Sequence, residues 1–166
     1  MKEQPAARTL LLGVGNLLLS DEGVGLRVLE RLVTSYELPE EVQALDGGTL
    51  GLDLLYYLEG TENLLIVDAV EMGKEAGSVI RLEGDEVPSF LSLKVSPHQV
   101  GIPDVLFAAK LRDICPRNVV LWGVQPGSLE PGLQLSPQVE AQVDELVDQV
   151  LDQLAQWGTP ISPIST

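Results

Sequence analysis

Leu64-Leu65-Ile66-Val67 is apolar at four consecutive positions, and the run continues through Ala69 and Val70 with one interruption, Asp68. A strand with one face in water alternates apolar and polar residues, whereas a strand covered on both faces does not. The run therefore predicts a central strand over Leu64–Val70 with helices on each side. Thr9–Val14 is a second such run, closed by Gly13-Val14-Gly15-Asn16. Val42–Leu45 and Val119–Val124 give two further strands, and Ser78–Leu82 reads as another.

Helical patterns separate these runs. Ser20 or Asp21 offers an N-cap ahead of Val24, Val28 and Leu32, which recur at helical spacing. A helix from Leu50 to Glu59 is expected to stop at Gly60, and Pro103 suits the first turn of a helix reaching Leu111. Pro88 and Pro97 make Glu86–Val100 mostly loop, and Gln125–Leu135 reads as loop for its prolines and glycines. The last helix is the plainest: Ser136 as cap, Pro137 at its first position, and one apolar stripe through Val139, Val143, Leu146, Val147, Val150, Leu151 and Leu154. Gly158 closes it. Alternating strands and helices define an α/β class, a three-layer α/β/α domain with a twisted, mainly parallel central sheet and room for one short antiparallel strand. The domain is expected over residues 1–158, with 159–166 a flexible, Ser/Pro/Thr-rich tail.

Charge narrows the function. With 10 Lys and Arg against 25 Asp and Glu in 166 residues, the net charge is −15. Nucleic acid requires clustered basic residues and an anionic membrane surface requires a basic patch; neither partner is expected. The single cysteine, Cys115, has no internal disulfide partner and offers no structural zinc pair, so it reads as a free, partly buried thiol. No leader precedes a small-residue cleavage site, and the Leu10–Leu19 stretch is broken by glycines, which together predict a cytoplasmic protein.

Gly13-Val14-Gly15 at a strand-to-helix turn invites a dinucleotide-binding reading. Leu18 stands where the third glycine of that fingerprint belongs, and Asp21 and Glu22 crowd the helix start with negative charge that a pyrophosphate would meet. Two acids there leave one free to cap the helix and the other to point out of the sheet end. Asp68 closes a buried strand, where an ionised carboxylate must be hydrogen-bonded, paired or metal-bound. His98, the one histidine, sits in Ser96-Pro97-His98-Gln99. Each residue taken alone also has a plain structural reading: a cap, an Asp bonded to loop amides, a solvated loop histidine. Taken together, two carboxylates and an imidazole at strand ends form a metal-ligand set. Asp46-Gly47-Gly48-Thr49 reads equally as a tight turn with Thr49 as a helix cap, or as bare backbone with which an extended peptide can pair.

In order and spacing, these segments match a family. Gly13-x-Gly15-Asn16-x-Leu18-x-x-Asp21-Glu22-Gly23-x-Gly25, then Asp46-Gly47-Gly48-Thr49, Asp68-Ala69 and Ser96-Pro97-His98-Gln99 make the chain resemble the nickel–iron hydrogenase maturation endopeptidases from about Thr9 to Leu154. The resemblance implies a twisted sheet flanked by helices. It implies an enzyme that removes a C-terminal extension from the hydrogenase large-subunit precursor after nickel insertion, and so that precursor as partner. It also implies Glu22, Asp68 and His98 as metal-contacting and catalytic residues, and Asp46, Gly47, Gly48 and Thr49 as the substrate-recognition segment. Three protein ligands leave open positions on a nickel ion, so the nickel is expected to arrive in the precursor, with permanent binding not required. A metal-polarised water or carbonyl, with Glu22 or Asp68 as base, is the simplest route to bond cleavage. The alternative is a non-enzymatic nickel-binding assembly chaperone using the same three residues, which would bind the precursor without shortening it.

Overall fold

The computed structural model describes residues 8–47, 50–91 and 101–165. Its main sheet has five strands: β1 (Thr9–Gly13), β3 (Val42–Asp46), β4 (Asn63–Ala69), β5 (Val79–Glu83) and β6 (Asn118–Val124). Their order across the sheet is β3-β1-β4-β6-β5. The first four run parallel, and β5 pairs antiparallel with β6 at the edge. Every residue of β1 and β4 is buried, as expected of strands covered on both faces.

The helices divide between the two faces. Leu10, Leu12, Leu64, Ile66, Val119 and Leu121 pack with α2 (Leu54–Leu58) and α4 (Ile102–Leu111). Leu11, Leu65, Val67, Val120 and Trp122 pack with α1 (Val24–Ser35), α5 (Pro137–Glu140) and α6 (Val143–Gln156). The period-two alternation of a strand produces this division, and it places Asp68 on the α2/α4 face together with Leu64 and Ile66. Val24, Val28 and Leu32 are the buried stripe of α1, and the apolar stripe expected from Val139 to Leu154 is buried apart from the partly buried Leu151.

Close contact fixes α1 on the sheet. A Cβ on Gly25 would lie 2.1 Å from the Val67 carbonyl oxygen and 2.9 Å from that of Val14. The first turn of the helix therefore rests directly on the ends of β1 and β4, where a side chain has no room.

Several local expectations are corrected. Neither Ser20 nor Asp21 caps α1: Ser20–Gly23 form a 3-10 turn, and Gly23 occupies the cap position. The helix expected over Leu50–Glu59 is a 3-10 turn (Gly51–Asp53) followed by the short α2, ending before Gly60 at φ 82°. Glu86–Leu91 is helical (α3), not loop; Pro88 falls in its first turn, where a missing amide hydrogen costs nothing. Residues 92–100 lie outside the described residues. The last helix is two, α5 and α6, parted at Ala141-Gln142.

The segment expected as a tail also departs from the reading. Ser162–Pro163 (β7) pair antiparallel with β2 (Tyr36–Glu37), and the Ile164 amide donates to the Ser35 carbonyl at 2.9 Å. Ile161 packs against the same core cluster as Tyr36 and Leu38, which gives a short polar stretch an apolar anchor.

Candidate functional site

In this topology β1 is followed by α1 on one face, while β3 is followed by α2 on the other. The strand order therefore reverses between β1 and β4, and ligands of open α/β sheets bind beyond the carboxyl ends of the strands at such a point. Asp68 is placed there. β1 ends at Gly13, opposite Val67, so Asp68 is the first residue of β4 beyond its neighbour's end. It is 3% exposed, and on its other side it pairs with Gly123 of β6.

Glu22 reaches the same edge from the β1–α1 connection. The Val14 amide donates to the Val67 carbonyl at 3.1 Å, and the Asn16 amide donates to the Glu22 carbonyl at 3.3 Å. Gly15, at φ 140°, lies so close to this carbonyl that a Cβ would sit 1.7 Å from its oxygen. The glycine motif read from the sequence thus makes room for the backbone of Glu22 rather than for a phosphate. The 3-10 turn packs against β4, and Glu22 is half-buried on it. The structure brings Glu22 and Asp68 to one edge of adjacent strands.

One strand further along, Asp46 ends β3 and is exposed, in register with Gly13. Gly47 follows, buried, its amide donating to the Gly13 carbonyl at 2.9 Å. Asp46, Glu22 and Asp68 thus mark the carboxyl ends of three adjacent strands. Gly48, Thr49 and His98 lie outside the described residues, and the chain resumes at Gly101, three residues beyond His98, at the head of α4. Among the described residues, no three His, Cys, Asp or Glu side chains gather closely enough to hold a metal ion. A three-donor set at this edge thus requires a residue from outside them. Among the described residues, no helix is long and apolar enough to cross a membrane.

Asp21 is the residue whose part was not foreseen. It is fully buried and accepts hydrogen bonds from the Gly127 amide at 2.7 Å, the Ser128 amide at 2.9 Å, the Ser136 amide at 2.7 Å and the Ser136 hydroxyl at 2.7 Å. Burial opposes its ionisation. The Ser136 hydroxyl and the amides of Ser136, Ser128 and Gly127 outweigh burial and hold the carboxyl below its ordinary 3.8. Ser136 therefore gives its side chain to Asp21 and not to the first turn of α5. Backbone bonds continue the join: Asp21 N to Ser128 O at 3.1 Å, Ser20 N to Gly132 O at 2.9 Å, and Gly132 N to Leu18 O at 2.9 Å. No sequence signal announced this, because the partners lie 106 to 115 residues away.

Gln125 is a second residue the sequence did not reveal. At 3% exposure it caps β6 and organises the loop after β4. Its carbonyl oxygen accepts from the Met72 amide at 2.6 Å, and its amide nitrogen donates to Glu71 at 2.9 Å. Cys115 is free and partly buried, as expected, and burial raises its thiol pKa, which suits packing rather than attack.

An open, mainly parallel α/β domain with acids at its switch point is built to hold a ligand or substrate beyond the strand ends. Comparison with known proteins gives the family. Residues 26–153 match the family model described as hydrogenase maturation protease. The chain is 46% identical over 134 residues to the hydrogenase 2 maturation protease of Escherichia coli K12, covering 80% of this chain and 82% of that protein. It is 43% identical over 157 residues to the hydrogenase expression/formation protein HupD of Bradyrhizobium diazoefficiens, covering 93% and 82%. The solved structure of the hydrogenase maturating endopeptidase HybD from E. coli superposes with a TM-score of 0.89 at 42% identity, over 94% of this chain and 97% of that one. The chain belongs to the hydrogenase maturation protease family, and with it to the endopeptidases.

Proposed function

We propose that this protein removes the C-terminal extension of a nickel–iron hydrogenase large-subunit precursor once nickel has been inserted, and that it recognises the nickel itself. The observation that carries this reading is the convergence of Glu22 and Asp68 on the β1/β4 switch point in a chain of the hydrogenase maturation protease family. His98 is the third donor. Its segment leads into Gly101 and α4, which packs on the face that Asp68 shares.

Two carboxylate oxygens and one imidazole suit a borderline divalent ion and leave positions for the ligands that the precursor already supplies. Nickel is thus part of the substrate, and an empty precursor lacks the group that the three residues grip. Glu22 or Asp68 is placed to take the proton of the attacking water. Asp46 and Gly47 stand at the neighbouring strand end, and the Asp46, Gly47, Gly48 and Thr49 segment receives the extended peptide. The reaction belongs to a reducing cytoplasm, in keeping with the free thiol of Cys115.

The test is to incubate the protein with nickel-loaded and nickel-free precursor and to read the mass of each. The loaded precursor loses its C-terminal peptide and the empty one keeps it. Equal cleavage of both would refute nickel recognition, and cleavage of neither would refute the processing role.

A further inference from the structure

We propose that Asp21 is a positioning residue of this enzyme: it locks the Gly127–Ser136 loop onto the Leu18–Glu22 turn and thereby fixes Glu22 at the strand end. The inference rests on the reading of Glu22 as a working carboxylate of the site, and it adds the device that holds Glu22 in place.

The turn that carries Glu22 is closed locally through Asn16, whose side chain accepts from the Leu18 amide at 2.9 Å and whose carbonyl accepts from the Leu19 amide at 3.2 Å. These bonds leave Ser20 and Asp21 to be held from elsewhere. Ser20 is in the left-handed region at φ 52°, a conformation that costs an L-residue free energy and persists only where neighbours enforce it. The enforcement comes from the distant loop. Ser20 donates through its amide to Gly132 and through its hydroxyl to the Glu130 carbonyl at 2.6 Å, and Leu18 accepts from Gly132. Asp21 then closes the join with four donors on one buried carboxylate. One residue further on, the Glu22 amide donates to the Leu19 carbonyl at 3.1 Å and the Glu22 carbonyl accepts from Asn16. The backbone of Glu22 is thus bonded within the turn that the Asp21 lock joins to the distant loop.

Asp21 itself is fully buried, with its oxygens engaged by the loop, so it has no path to substrate. Its effect must pass through Glu22. A carboxylate displaced by an ångström loses rate in the chemical step more than it loses binding.

Asp21→Asn keeps the shape but turns an NH₂ group toward amide donors. Ser136→Ala removes only the hydroxyl donor and keeps the fold testable if the first variant is unstable. Each is assayed on nickel-loaded precursor, per folded molecule, beside Val150→Ala, a core truncation in α6 remote from this edge. The expected result for Asp21→Asn is a fall in kcat of about 100-fold with KM changed by less than about threefold. Ser136→Ala falls in the same direction by a smaller factor, while Val150→Ala keeps the wild-type kcat.

Glu22→Gln separates this inference from the reading beneath it. If Glu22→Gln processes precursor normally, the reading falls and this inference falls with it. If Glu22→Gln is inactive while folded Asp21→Asn and Ser136→Ala turn over at the wild-type kcat, this inference alone is overturned.

Discussion

Asp21 and Glu22 are consecutive in the chain and opposite in circumstance. Asp21 is sealed from solvent with four hydrogen bonds donated by a loop more than a hundred residues away. Glu22 is half-exposed on the turn that packs against β4, the strand that carries Asp68 near its end. The first carboxylate stabilises a join between segments, and the second belongs to the edge at which open α/β sheets hold their ligands. The contrast teaches that acidity at a helix start does not identify a site. What separates the two is burial: Asp21 is fully buried within a join between segments, and Glu22 is half-exposed.

The stapled side of the edge can be broken hardest from beneath. Gly25→Val puts a side chain 2.1 Å from the Val67 carbonyl, against backbone that cannot yield. It is expected to cost more than about 4 kcal/mol, since overpacking and backbone displacement add, and to leave little folded protein in a urea titration.

The two neighbouring acids should then part company. Asp21→Ala leaves buried donors of Gly127, Ser128 and Ser136 without an acceptor and is expected to destabilise by about 3 kcal/mol. Glu22→Gln is expected to stay within about 0.5 kcal/mol of wild type in the same titration, yet to lose precursor processing. Equal stability losses at the two positions would erase the distinction.

Acid sharpens it further. The Asp21 carboxyl is depressed below 3.8 in the folded state, so the unfolded chain takes up its proton first as pH falls. Its stabilisation is therefore complete above the ordinary value and is lost as pH drops through the folded value. The stability gap between wild type and Asp21→Asn should be largest near neutrality and shrink as pH falls below the ordinary 3.8. A gap that stays constant across that range would show that the charge of Asp21 does not matter.

Much of the fold was legible because its determinants are local. β1, β4 and β6 announced themselves as apolar runs, that of β4 interrupted only at Asp68, and Pro103 marked the start of α4. What was illegible depended on contacts between distant segments. The pairing of Ser162–Pro163 with Tyr36–Glu37 spans only two residues in each strand and leaves no periodicity to read. Pro88 suggested loop where its place in a first turn permits helix. At the site, Glu22 and Asp68 were legible as acids at strand ends, and the structure places them on one edge. That Asp21 would tie down a loop and not cap α1 could not be read, since its partners become neighbours only in the folded chain. His98 falls outside the described residues, and its place in the site is carried by the motif alone.

That residue gives the most direct test of the account. His98→Ala removes the imidazole, and the variant is expected to unfold at the wild-type urea midpoint. The mass of nickel-loaded precursor after incubation with it decides the matter. The account predicts full-length precursor, with the C-terminal peptide still attached; release of that peptide at the wild-type rate would contradict it.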